Sequence, residues 1–175
     1  MSINKKKEIF YSETDSPFGL LALAHTSKGI CAVLFPEEKP FSESLLKKFP
    51  NSNLRKESFD SSGCIRQLKE YFHSDRINFE LNLDLNLPFF YRKTLNTVMT
   101  IPYGETASYK EIAIKTGNPA GVRAVGNANA QNPIPIIIPC HRVIKHNGSI
   151  GGYGGRVERK VFLLEHEKQN HYLLN

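Results

Sequence analysis

The sequence predicts an α+β protein in two parts, a strand-rich N-terminal half over residues 1–87 and a mostly helical C-terminal half over 88–175. Three observations carry that prediction. Apolar runs of strand length recur between Ile9 and Phe35, and Ile77, Phe79, Leu81, Leu83, Leu85 and Leu87 alternate with polar residues, the two-residue period of a half-buried strand. Pro88 then marks a change of character. Beyond it, two short helical patterns meet at Gly117, the spacing of a helix, a tight turn and a second helix.

Within the first half, Phe18 to Ala24 and Ile30 to Phe35 form a hairpin whose turn is Ser27, Lys28 and Gly29. Phe41 to Phe49 and Cys64 to Phe72 read as helices, the second with Ile65, Leu68 and Phe72 on one side. Polar, turn-rich Asn51 to Gly63 reads as a loop.

In the second half, Phe89 to Met99 reads as a helix with Phe90, Leu95, Val98 and Met99 as core positions, followed by a turn at Pro102, Tyr103 and Gly104. Ser108 and Glu111 fit a capping box, in which serine and glutamate satisfy each other's orphan amides at the start of a helix. Tyr109, Ile112, Ala113 and Thr116 share a face of that helix, and Gly117 ends it. Asn118 and Pro119 are expected to cap and open a second helix running to about Gln131. Gly121, Ala124, Gly126, Ala128 and Ala130 leave this second helix thinly clothed around Arg123. Small residues suit tight packing in a core or entry into a narrow groove. The last helix, Val157 to about Lys168, places Val157, Val161 and Leu164 on one side. Glu167 sits on that apolar flank, where a carboxylate needs a route to solvent or a buried partner.

Bulk properties narrow the partners. A net charge of +6 and a pI near 9.2 favour an anionic one, nucleic acid included. No apolar run is long enough to span a bilayer, and Lys5, Lys6 and Lys7 precede no apolar signal-peptide centre, so the cytoplasm is the expected compartment. Cys31, Cys64 and Cys140 are too few for a disulfide framework and lack metal-ligand spacing. The glycines between Gly148 and Gly155 spell neither a dinucleotide nor a P-loop fingerprint.

The residue with the most chemical promise is Cys140, in Ile134-Pro-Ile-Ile-Ile-Pro-Cys-His-Arg-Val143. The prolines hem a β-branched run that reads as a buried strand forced to stop, and the cysteine emerges at its end. A thiol reacts as its thiolate, and the free value of about 8.5 falls beside cations or histidine. His141 follows directly, but neighbours on an extended chain face opposite ways, so a turn at Cys140 is required for it to serve as a base. On this chemistry alone a buried structural cysteine is as good a reading as a nucleophile.

The ordered segments around it are more specific. Pro102-Tyr-Gly-Glu105, Ser108-Tyr109, Arg123-Ala-Val-Gly126, Asn132-Pro133, Ile138-Pro-Cys-His-Arg-Val143, Gly152-Tyr-Gly-Gly155 and Leu163-Leu-Glu-His-Glu167 together resemble the O6-alkylguanine-DNA alkyltransferases, over Ile101 to Glu167 almost without a gap. The resemblance implies a ribonuclease-H-like N-terminal domain and a helix-turn-helix, winged-helix-like C-terminal DNA-binding domain. It implies that Cys140 takes an alkyl group from O6 of guanine, and from O4 of thymine, and keeps it as a thioether. His141 would deprotonate Cys140 through a water, Glu167 would orient His141, and Asn132 would hold the turn around Cys140. Tyr109 would crowd the phosphate beside the lesion and donate a proton to the base. Arg123 would fill the stack left by the extruded nucleotide, with Ala124 and Gly126 letting the helix into the minor groove of duplex DNA. The carbonyls of Cys140 and Val143 would read the base, and Tyr153 and Gly154 would shape its pocket. The family needs no cofactor, and a monomer is expected.

Two departures stand out. Gly154 replaces a serine found in some relatives, which confines any role there to the backbone. Asn127 and Asn129 make the recognition helix more polar, adding donors and acceptors for minor-groove edges. Two competing readings are a lesion-binding protein without repair activity, whose kind replaces the cysteine retained here, and a Cys-His-Glu hydrolase, which Arg123 and its helices disfavour.

Overall fold

The computed structural model describes residues 6–154 and 156–171, leaving Lys5 and Gly155 of the segments above outside the described residues. The chain divides into two compact units, Met1–Asp84 and Leu85–Asn175.

In the first unit β1 (Lys7–Thr14), β2 (Leu21–Thr26) and β3 (Gly29–Leu34) form an antiparallel meander, the last two joined as the expected hairpin. Helix α1 (Phe41–Lys48) covers one face, burying Phe41 and Leu45 in a core with Ile9, Tyr11, Ala22, Ala24, Ala32 and Leu34. The stretch expected to be a loop contains β4 (Ser52–Lys56), which pairs parallel with β1 and completes the order β3-β2-β1-β4. Its residues are polar because it is an edge strand joined through its backbone, which leaves little apolar signature.

Helix α2 (Cys64–Phe72) buries Cys64, Gln67, Leu68 and Tyr71. Its expected Ile65 and Phe72 are only half-buried, the apolar face being turned by about one position. The alternating segment beyond it is extended, with Phe79, Leu81 and Leu83 half-buried, yet it forms no regular strand. It touches β3 at one bridge, where Ile30 N donates to Asn82 O at 2.8 Å and Asp84 N to Ile30 O at 2.7 Å. Further ladder bonds are replaced by a side chain: Gln67 donates from Nε2 to Glu80 O at 3.0 Å and accepts from Glu80 N at 2.8 Å. The close approach also depends on Gly29, whose added Cβ would stand 2.2 Å from Asn82 O.

The second unit opens with α3 (Phe89–Val98), which buries Thr94, Leu95 and Val98, whereas Met99 is 39% exposed and lies outside the core. A two-residue strand β5 (Ala107–Ser108) leads into α4 (Tyr109–Lys115), and the capping box is present, with Glu111 N donating to Ser108 Oγ at 3.1 Å and Ser108 N to Glu111 Oε2 at 2.6 Å. Gly117, at φ 78, turns the chain out of α4. Helix α5 (Val122–Ala130) begins three residues later than Pro119 predicts, because Asn118 to Gly121 form a turn closed by Gly121 N donating to Asn118 O at 2.8 Å; Gly121 is the N-cap and Asn118 is not.

Ile134 to Pro139 is no strand. It is a buried turn in which Pro135 bridges Ile138 and Ile136 takes φ 76. A 3-10 helix over Cys140–Arg142 follows and feeds β6 (Val143–Ile144), parallel to β5. Helix α6 (Val157–His171) buries Lys160, Leu163 and Glu167, not the Val157 side: Val157 is 44% exposed, and Val161 and Leu164 are half-buried. Among the described residues no helix is long and apolar enough to cross a membrane.

Candidate active site

Cys140 gets its position from the turn before it. Asn132, just past the end of α5, donates from Nδ2 to Ile138 O at 2.9 Å and to Cys140 Sγ at 3.1 Å, while its Oδ1 accepts from Ile134 N at 3.0 Å. One amide thus pins both ends of the apolar turn and touches the sulfur. The 3-10 helix supplies the required change of direction at Cys140, and carries His141 and Arg142 into the interior.

Both side chains meet Glu167 of α6. His141 Nε2 lies 2.7 Å from Glu167 Oε1, and Arg142 spans the same carboxylate, Nε to Oε2 at 2.8 Å and Nη2 to Oε1 at 3.0 Å. Gly104 N adds a bond to Oε2 at 3.1 Å, and Arg142 Nη1 donates to Ile101 O at 2.6 Å. Burial would raise the Glu167 carboxyl, but the donors from His141 and Arg142 hold it far below the usual carboxylate range. Burial lowers the imidazole of His141, against the pull of Glu167. Since the carboxylate takes the Nε2 proton, the neutral ring presents Nδ1 as its basic nitrogen, and Nδ1 has no hydrogen-bond partner among the described residues.

The sulfur is buried, and burial raises its thiol, opposed by the Asn132 bond and by Lys160. Lys160 and Arg142 are the residues that the sequence reading missed. Lys160 is fully buried; its Nζ donates to Val143 O, lies 3.5 Å from Gly152 O and stands 5.7 Å from the Tyr109 ring. Burial lowers its ammonium to about 8, with Cys140 pulling the other way. Helical spacing from Glu167 and Leu163 was the available signal, overlooked because lysine reads as a surface residue.

Cys140 opens onto a cavity of about 360 Å³ walled by Tyr109, Asn129, Tyr153 and the backbone of Gly152 and Gly154, with Gly126 and Ala130 of α5 on its rim. Gly154 is packed closely: a Cβ there would stand 3.0 Å from Ala130 O. Tyr109 and Tyr153 have hydroxyls raised by burial first and by Cys140 second, and Tyr109 reaches Gly152 O at 3.4 Å. Among the candidate site residues, the structure therefore gathers Cys140, His141, Glu167, Asn132, Tyr109, Val143, Tyr153 and Gly154. Arg123 and Asn127 are instead exposed on α5, with Ala124 half-buried. Asn129 is buried in the cavity wall and does not share their exposed face. Among the described residues no cluster of His, Cys, Asp or Glu could hold a metal ion.

Sequence comparison decides the family. The family described as 6-O-methylguanine DNA methyltransferase matches through its ribonuclease-like domain over residues 9–85 and its DNA binding domain over 89–169. The chain is also 43% identical over 161 residues to the methylated-DNA–protein-cysteine methyltransferase of Mycobacterium tuberculosis, covering 91% of this chain and 93% of that one. The chain belongs to the 6-O-methylguanine DNA methyltransferase family. A constitutive family member from Bacillus subtilis is 36% identical, over 91% of this chain and 95% of its own. The crystal structure of Mycobacterium tuberculosis OGT in complex with DNA superposes with a TM-score of 0.81 at 39% identity, covering 92% of this chain and 94% of that one. The α+β fold, with a ribonuclease-like domain ahead of a DNA-binding domain, is that of the family.

Proposed function

We propose that the protein repairs DNA by moving the alkyl group of O6-alkylguanine onto its own Cys140, once per molecule. The observation that carries this is the sulfur itself: it faces the cavity, is held by Asn132, and is followed in the chain by an imidazole anchored on a buried carboxylate. In the reaction the thiol proton passes to His141 Nδ1 through a water, Sγ forms a bond to the alkyl carbon as the carbon–O6 bond breaks, and the electron pair left on the base is quenched by a proton from the Tyr109 hydroxyl. Glu167 orients His141 and, through Arg142, fixes the turn. No cofactor is required, because the damaged base is the electrophile.

DNA binding falls to the second domain, read over 88–175 after a ribonuclease-H-like domain over 1–87. Helices α4 and α5 act as a helix-turn-helix. Arg123 and Asn127 are exposed one helical turn apart, and small Ala124 and Gly126 beside them let α5 enter the minor groove. Arg123 fills the gap in the stack when the guanine is extruded, as it must be for O6 to reach a buried sulfur. O4-alkylthymine is a second substrate, and the protein works as a cytoplasmic monomer.

The test is the intact mass after incubation with a duplex bearing one O6-methylguanine. One methyl group on the Cys140 peptide, with unmodified guanine left in the DNA, is expected. Tight lesion binding with an unchanged mass overturns the reading, as does Cys140→Ser retaining transfer.

A further inference from the structure

Among the described residues the cavity holds two polar side chains that the reaction above does not use, the buried hydroxyl of Tyr153 and the carboxamide of Asn129. Asn129 is 8% exposed, lines the cavity beside Tyr109, Cys140 and Tyr153, and has hydrogen-bond partners on neither Nδ2 nor Oδ1 among the described residues. Burying a carboxamide with both ends unpaired is unfavourable. Asn132, one helical turn further on, shows the contrast: its amide is used on both sides by the Cys140 turn. Asn129 borders the cavity, and a base bound there comes against a side chain whose amide has a donor beside an acceptor, both still to be used.

The chemistry of the lesion matches this pattern. Guanine presents an N1–H donor next to its N2 amino donor. Alkylation at O6 removes the N1 proton and leaves an acceptor at N1 beside the same amino donor. A carboxamide complements that pair, Nδ2–H to N1 and N2–H to Oδ1, whereas unmodified guanine sets N1–H against Nδ2–H. We infer that Asn129 is a specificity-determining residue, reading the N1 and N2 edge of the extruded base so that the alkylated form is held and the repaired form is released. The inference rests on the cavity being the base pocket. O4-alkylthymine offers an acceptor at N3 but another at O2, so it satisfies only half of the amide and is the slower substrate.

The test is a chemical cycle. Single-turnover methyl transfer to Cys140 is measured by intact mass for the wild type and Asn129→Leu, on duplexes carrying O6-methylguanine or O6-methylhypoxanthine, which lacks the N2 amino group. The wild type should favour O6-methylguanine by about tenfold or more, and Asn129→Leu should lose most of that preference, because a site built for a hydrogen bond discriminates against the analogue without it. The free Asn129→Leu protein should melt no lower than the wild type, since an apolar isostere replaces an unpaired amide, and this separates recognition from a structural role. Equal wild-type rates on the two duplexes overturn the inference without any variant. A preference that survives in Asn129→Leu, or in Asn129→Ser should the leucine variant not fold, overturns it as well. Wild-type protein that takes up no methyl group from O6-methylguanine refutes instead the repair reading on which it rests.

Discussion

Glu167→Gln is the sharpest single perturbation of the anchored histidine. The carboxylate is 1% exposed and accepts from His141, from two nitrogens of Arg142 and from Gly104 N. Glutamine keeps the shape but turns one acceptor into a donor facing donors, and it leaves the Arg142 guanidinium buried without a counter-charge. Breaking a buried pair from one side costs about 3–5 kcal/mol. At about 4–8 °C per kcal/mol for a unit of this size, the melting temperature of the second unit should fall by more than about 10 °C. The pH dependence has a fixed sign. A carboxyl held far below its unfolded value of about 4.3 contributes stability that is fully present above that value and is lost as pH falls below it. Calorimetry between pH 7 and 3 should therefore show wild-type stability dropping on the acid side and a shallower slope for Glu167→Gln, with Arg142→Met restoring part of the loss at neutral pH. A variant melting within about 3 °C of the wild type, with the acid slope intact, refutes the reasoning.

Further outcomes follow from the same geometry. The Lys160 ammonium is lowered by burial to about 8, so the folded state sheds its proton before the unfolded state does, and stability gains with pH between that value and the usual lysine range; melting followed from pH 8 to 10 should show this gain in the wild type and not in Lys160→Met. Burial pushes Cys31 up to about 12 and Cys64 higher still, so at pH 8 a brief pulse of iodoacetamide on folded protein should leave both unlabelled by peptide mapping. Gly154→Ala forces a Cβ to 3.0 Å from Ala130 O, which should slow transfer several-fold and cost about 1 kcal/mol in stability, read by single-turnover kinetics and melting. Lesion binding should weaken as salt rises, because phosphate contacts release counterions, and a flat response in a binding titration would count against DNA as the partner.

What could be read from sequence was what local rules control. The Ser108–Glu111 box, the hairpin at Ser27 and Lys28, and the need for a turn at Cys140 are each set by a few adjacent residues. For Glu167 the sequence left two outcomes, a route to solvent or a buried partner, and the fold takes the second. The failures came where the fold answers to distant residues. Strand β4 is invisible because backbone pairing with β1 leaves no apolar period. The alternation after Ile77 is real in its exposure, but the Gln67 amide takes the place of ladder bonds. Ile134 to Pro139 has strand composition and is a turn, since Asn132 supplies the hydrogen bonds that a neighbouring strand would have provided. Nothing local marks Lys160 or Arg142 as buried, and both are, because carbonyls and a carboxylate remote in sequence receive them.

The Glu167 anchor also imposes an order of events on the making of the protein. The carboxylate lies 26 residues beyond His141 and 63 beyond Gly104, so three separate stretches of chain converge on two oxygen atoms contributed by α6. A growing chain contains Cys140 and His141 before it contains the carboxylate that, on the proposed mechanism, orients the imidazole. A chain clipped between Arg142 and Glu167 would still carry every residue of its Pro-Cys-His-Arg segment, with His141 and Arg142 deprived of the acceptor they share. On the mechanism proposed above, alkyl transfer waits for α6 to dock.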